Sequence, residues 1–172
     1  MATLPPGRTK VVNDVTELVP LLRIVDTDIK RKIFQELVTN WRSLKEIESL
    51  YGEEGKEALL LFEKTKLVES KWQSTSEGKP EKVYRTYYTS FHINAHCPIT
   101  EICDLLTVAT ASEEEFSKLE TKILEAVNDK SVFIGDVAQA LNVSQTMVKG
   151  LVRRSTKLDY RGHRIEKVAV EE

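Results

Sequence analysis

The apolar pattern of this chain repeats at a fixed offset of 90 positions without a gap, and that spacing constrains the fold more than any single motif. Ile29 falls on Leu119, Ile33 on Ile123, Phe34 on Leu124 and Leu37 on Val127. Leu44 falls on Ile134, Ile47 on Val137, Gly52 on Asn142, Ala58 on Val148, Leu61 on Leu151, Phe62 on Val152 and Val68 on Leu158. Identities are few, so what repeats is the pattern of inward positions and the place of the turn. A register that holds across three helices and their turns implies two similar units, each of roughly 75 residues, which suffices for a small core when units pack together.

Residues 1–13 read as a flexible tail. The first unit then spans 14–94. Asp14 with Glu17 marks a helix start, and Leu18, Leu21, Leu22 and Val25 give a helical stripe kinked or begun near Pro20. Asp26 is placed to cap a second helix ended by Asn40, with Ile29, Ile33, Phe34, Leu37 and Val38 on one face. Ser43 caps a short helix that stops at Tyr51-Gly52, and a further helix follows with Ala58, Leu59, Leu61 and Phe62 inward. Leu67–Trp72 and Val83–Phe91 read as strands around a turn holding Gly78 and Pro80. Three helices and then a hairpin is the order of a winged helix-turn-helix.

Residues 95–111 read as a linking or dimerisation helix opened by Pro98, with Ile102, Leu105, Leu106 and Ala109 helically spaced and in need of a partner. Residues 112–172 form the second unit. Ser112 and Glu115 make a capping box for a helix ended by Asn128-Asp129. Ile134–Leu141 is a short helix, Asn142-Val143-Ser144 a turn, and Gln145 to about Thr156 a helix with Val148, Leu151 and Val152 inward. Leu158–Tyr160 and Ile165–Val170 form a hairpin around Gly162. The fold class expected is therefore mainly α with small β-hairpins, in two tandem winged helix-turn-helix units.

The sharpest motif lies in the second unit. Two helices crossing at a close angle need a small residue where they touch and a turn residue tolerant of positive φ four positions on. Ala138 and Asn142 meet both needs, because Asn is one of the few non-glycine residues at ease there. Ser144 is placed to cap the helix that follows. Gln145 and Thr146 then sit where base edges are read, and Lys149, Arg153 and Arg154 where phosphates are reached. Arg161, His163 and Arg164 surround Gly162 on the wing, a shape suited to the backbone or minor groove.

Charge distribution supports this placement. Lys plus Arg total 25 and Asp plus Glu 27, a net charge of −2, which alone argues against coating nucleic acid by bulk charge. Yet Ser144–Val168 holds seven basic and two acidic residues, a local +5. Ser43–Lys64 holds three basic and six acidic residues, a local −3, with Glu53, Glu54 and Glu57 on the helix equivalent to a DNA reader. The first hairpin is mildly basic through Lys71, Lys79, Lys82 and Arg85 and carries Tyr84, Tyr87 and Tyr88, so it is the part of the first unit suited to DNA, while its acidic helix suits protein contacts or solvent.

The segment Asp26–Leu37 resembles the helix of ArsR-type repressors, and Thr65-Lys66-Leu67-Val68 resembles the link from recognition helix to wing in that family. The whole chain is similar to an archaeal ArsR-like regulator with a second, C-terminal helix-turn-helix. The resemblance implies a homodimeric, DNA-binding transcription regulator. The acidic Glu53–Glu57 helix departs from the family's usual DNA-reading helix.

His92, His96, Cys97 and Cys103 cluster within twelve residues. Thiolate and imidazole suit zinc or another transition metal, but the spacing matches no strong template and no metal cofactor is expected. Cys97 precedes a helix start, which favours thiolate and a redox role. No phosphate loop or nucleophile elbow is present, so no enzyme is expected. With two cysteines, no leader-like segment and no long apolar run, the protein is expected in the cytoplasm, away from membranes. The leading expectation is a homodimer on double-stranded DNA, with the C-terminal helix-turn-helix and wing as the more basic contact. The alternatives are an interaction adaptor for other transcription or replication proteins, and a metal- or thiol-sensing repressor.

Overall fold

Helix caps punctuate the chain close to where the sequence predicts them. The computed structural model describes residues 7–128 and 130–169. In order these form β1 (Thr9–Val12), a 3-10 turn (Val15–Glu17), α1 (Leu18–Arg23), α2 (Asp28–Thr39), β2 (Arg42–Ser43), α3 (Leu44–Lys64), β3 (Val68–Ser74), β4 (Pro80–Thr86) and β5 (Ser90–Ile93). There follow α4 (Ile99–Thr110), α5 (Glu113–Val127), β6 (Val132–Phe133), α6 (Ile134–Leu141), α7 (Gln145–Arg154), β7 (Leu158–Arg161) and β8 (Arg164–Lys167). The architecture is thus mainly helical with small sheets.

Ser43 and Ser112 each close a reciprocal capping box, with Glu46 and Glu115, satisfying donors that a helix start leaves unpaired. Asp14 caps the 3-10 turn. Pro20 lies in the first turn of α1, where its missing N–H costs nothing. The cap of α2 is Thr27 rather than the predicted Asp26; Asp26 instead accepts from Lys30 Nζ at 2.8 Å.

Among the described residues, those up to Val12 and Ile24–Asn94 form one unit, and Asn13–Arg23 with those from Ala95 onward form the other. The predicted boundary differs on two points. Residues 14–23 belong with the second unit, because Val19 is fully buried in its core beside α4 and α7 residues such as Leu105 and Leu151. The buried side of this six-residue helix is Val19 and Pro20, and Leu22 stays exposed. Residues 1–6 of the predicted tail lie outside the described residues, but Thr9–Val12 is a strand pairing in parallel with β5. That pairing also divides the predicted strand Val83–Phe91, since β4 ends at Thr86 and β5 starts at Ser90. Asp129 and Val170, which the sequence reading places at a helix end and a strand end, lie outside the described residues.

The first unit packs α2 and α3 over the sheet β2-β4-β3. Ile33, Leu37, Ile47, Leu59, Phe62 and Leu67 are almost fully buried, and the Phe34 and Phe62 rings meet edge to face at 5.6 Å. Thr86 Oγ1 donates to the Leu37 carbonyl inside this core. At Gly52 the backbone turns with φ 67° and ψ −154°, breaking α3 into two helices.

The second unit has the same sheet order, β6-β8-β7. Its β6, α6 and β7 each begin 90 positions after β2, α3 and β3. Burial follows the same offset: Ile33 and Ile123, Leu37 and Val127, Ile47 and Val137, Ala58 and Val148, and Phe62 and Val152 are all buried. Asn142 takes φ 53° and ψ 48°, as its place in the turn predicts. Its N–H bonds to Gln139 O, and that of Val143 to Ala138 O, closing a Schellman motif. The helix after the turn stops at Arg154, two residues short of the predicted end.

Candidate nucleic-acid interface

The helix after the Asn142 turn is α7, and its start follows from local chemistry. Ser144 Oγ accepts from Met147 N–H at 3.0 Å, and its hydroxyl donates to Asp104 on α4 at 2.5 Å. Gln145 is exposed, whereas Thr146 and Lys149 are half-buried. Along the rest of its length α7 is enclosed: α4, α5 and α6 pack on it, and so do α1 and the 3-10 turn.

That enclosure corrects the predicted role of Arg154. Its guanidinium is buried and donates from Nη1 to the carbonyls of Val108 and Ala111, both at 2.8 Å, and from Nη2 to Glu113 at 2.9 Å. It also lies over the Phe116 ring. Arg154 therefore closes the last turn of α4, whose end carbonyls have no helical partner. The available signal was Gly150. A glycine inside a helix marks a close approach, and a side chain there would press on Leu105 at 3.2 Å. Arg154 lies four residues on, along the same face.

Arg153 is also engaged. It sits 3.5 Å from the Asp14 carboxylate and 4.8 Å from the centre of the Tyr160 ring. Burial pushes the Asp14 carboxyl up, but the Thr16 amide and hydroxyl, with the charges of Arg153 and Lys149, outweigh it and hold it below its ordinary 3.8. The predicted linking helix 95–111 likewise finds the partner its stripe requires in α7: Leu105, Val108 and Ala109 are buried, while Ile99 and Leu106 remain exposed.

The hairpins are more open. On the second, Arg161 is 84% exposed and paired with Glu166, and His163 is exposed beside Gly162. Arg164 is held by Ser131, through Nε at 2.8 Å and Nη2 at 2.7 Å, and lies over Phe133. On the first, Lys79 is exposed and Arg85 is half-buried. Lys82 donates to Glu63 on α3 at 2.6 Å, and that bond holds its ammonium above the ordinary 10.5 despite partial burial. Trp72, which the sequence reading did not single out, stands 70% exposed on β3. The acidic half of α3 presents Glu53, Glu54 and Glu57, with Leu50 and Leu60 exposed nearby on the same helix.

Cys97 is half-buried, Cys103 exposed, and both thiols are free. His92 is exposed on β5, and His96 is exposed before α4. Among the described residues no group of three or more His, Cys, Asp or Glu is placed to hold a metal ion. No helix in those residues is long and apolar enough to cross a membrane.

The chain is matched by a family of transcription regulators. The model of the ArsR transcriptional regulator family matches residues 12–169, and the chain belongs to that family. ArsR regulators bind DNA and are not a family of enzymes. Comparison with curated proteins finds no match.

Proposed function

We propose that the chain is a sequence-specific DNA-binding regulator, cytoplasmic and non-enzymatic, that acts as a homodimer of two-unit subunits. Each unit is a winged helix-turn-helix, a reading supported by the matching sheet orders and by positive φ at both Gly52 and Asn142. The hairpins carry the main DNA contacts. One observation carries this assignment: the predicted contact residues Lys79, His163 and Arg161 (the last paired with Glu166 on its own hairpin) face solvent, whereas Arg154 is buried and Arg153 is partly covered within its unit. Gln145, exposed at the start of α7, is the helix residue best suited to a base edge. The exposed Ile99 and Leu106 on α4 support pairing of two copies.

The test is a salt titration of binding to a labelled duplex from upstream of the chain's own coding sequence. Direct contact requires affinity to fall log-linearly with salt, with a slope set by the phosphates neutralised. Lys79→Glu with Arg161→Glu weakens binding and flattens that slope; an unchanged slope overturns the hairpin assignment. Light scattering on the purified chain reads the dimer directly.

A second reading has its own observation. The acidic half of α3, with Leu50 and Leu60 exposed, suits a protein partner in a transcription or replication complex rather than phosphates. Retention of a protein partner that Leu60→Ala or Glu54→Lys abolishes, with no DNA footprint, selects that reading.

A further inference from the structure

Trp72 stands outside the set of cations assigned to DNA on the first hairpin and is its most exposed aromatic residue. Tryptophan is highly buried on average, yet this ring is 70% exposed. It lies on β3 directly across from Lys82 on β4. The short strand β2 pairs only with Val83 and Tyr84, so from Trp72 outward the hairpin is a two-stranded ribbon. A ribbon of that width fits a DNA groove.

The surroundings of the ring indicate what it meets. An aromatic that docks on protein normally sits in an apolar patch. Along β3, Ser70 and Ser74 share its face while Lys71 and Gln73 fall on the other, and the acidic residues of the ribbon, Glu77 and Glu81, lie at its turn and on β4. Lys71 is exposed and lies 4.1 Å from the centre of the Trp41 ring, and Lys79 is exposed where the ribbon turns. Hydroxyls, an amide and ammonium groups are the donors that engage phosphate and sugar, and a lone apolar ring beside them suits the thymine methyls and base edges that a groove presents.

We propose that Trp72 is the aromatic contact of the first hairpin to duplex DNA. Its indole lies against the bases at the groove edge, while Lys71 and Lys79 engage flanking phosphates. This rests on the DNA-binding reading and adds to it a residue that the family assignment does not supply. Apolar contact at the groove edge favours a thymine methyl, so the contact also biases sequence choice.

The chain has two tryptophans, so a Trp41→Phe variant leaves Trp72 as the sole indole fluorophore. This variant is titrated with the upstream duplex, with sheared genomic DNA as the non-specific probe, and acrylamide quenching is read with and without duplex. The expected result is a changed Trp72 emission with loss of acrylamide access on binding. Trp72→Ala binds roughly tenfold or more weakly, and Trp72→Phe restores most of the loss. A normal footprint with Trp72 still open to acrylamide, and Trp72→Ala binding as tightly as wild type, overturns the proposal while leaving the DNA-binding reading standing. Failure of the unsubstituted protein to hold either DNA overturns both.

Discussion

The Asp14 carboxylate lies 3.5 Å from the Arg153 guanidinium, joining the segment before α1 to the end of α7 within one unit. Residues 139 positions apart are thus in contact. Asp14 is depressed below its ordinary 3.8, so its contribution to stability is complete above that value and is lost as pH falls through the lower, folded-state value. Asp14→Asn is expected to lower the urea midpoint at pH 7, with the gap from wild type closing as pH falls below 3.8. Asp14→Ala also removes the cap and costs about 1 kcal/mol. A gap that widens on acidification refutes the assignment.

Neighbouring arginines at the end of α7 are expected to respond very differently. Arg154→Ala leaves the Val108 and Ala111 carbonyls without their donor and should destabilise by about 3–6 kcal/mol, since bonds to a charged group contribute roughly 1.5–3 kcal/mol each. Arg153→Ala, at a partly exposed ion pair, should cost under about 1 kcal/mol. Chemical denaturation of the two variants checks this. Charge reversal at Arg154 therefore reports on folding and not on DNA contact.

The two turns make a third comparison. Gly52 adopts φ 67° and ψ −154°, a region essentially closed to other residues, although no atom lies within 4 Å of where a Cβ would stand. Gly52→Ala should therefore cost about 1–3 kcal/mol through backbone strain alone. Asn142 is in the ordinary left-handed region, so Asn142→Gly should stay within about 1 kcal/mol of wild type, while Asn142→Val costs about 1–2 kcal/mol. A Gly52→Ala loss no larger than that of Asn142→Gly would contradict the difference in ψ.

Salt dependence gives a fourth. Each phosphate contact removed should reduce the log–log slope of DNA affinity by about 1. Lys79→Gln and Arg161→Gln are expected to do so independently, and Lys45→Gln, outside both hairpins, should not; equilibrium anisotropy over a range of salt measures it.

Much of the fold was legible in local chemistry. The Ser43 and Ser112 caps, the Asn142 turn and the ninety-residue register depend on residues close together in sequence, whose preferred conformations are set by nearby backbone groups. The candidate site was less legible. Helical spacing placed Val148, Leu151 and Val152 inward, and the structure buries all three. It left the opposite faces of α7 to solvent, because periodicity shows only that one face is apolar and not what covers the others.

What the sequence alone determined is therefore the order of elements, their caps and turns, and the uneven charge of the two halves. Only the tertiary structure decided which cations remain available. Arg154 is held by carbonyls 43 and 46 positions away, and Val19 enters the second core from a segment the chain order assigns to the first. Both outcomes follow from long-range packing, in which a helix end must satisfy its carbonyls and a short apolar helix must find cover. Neither demand names its partner until the chain is folded.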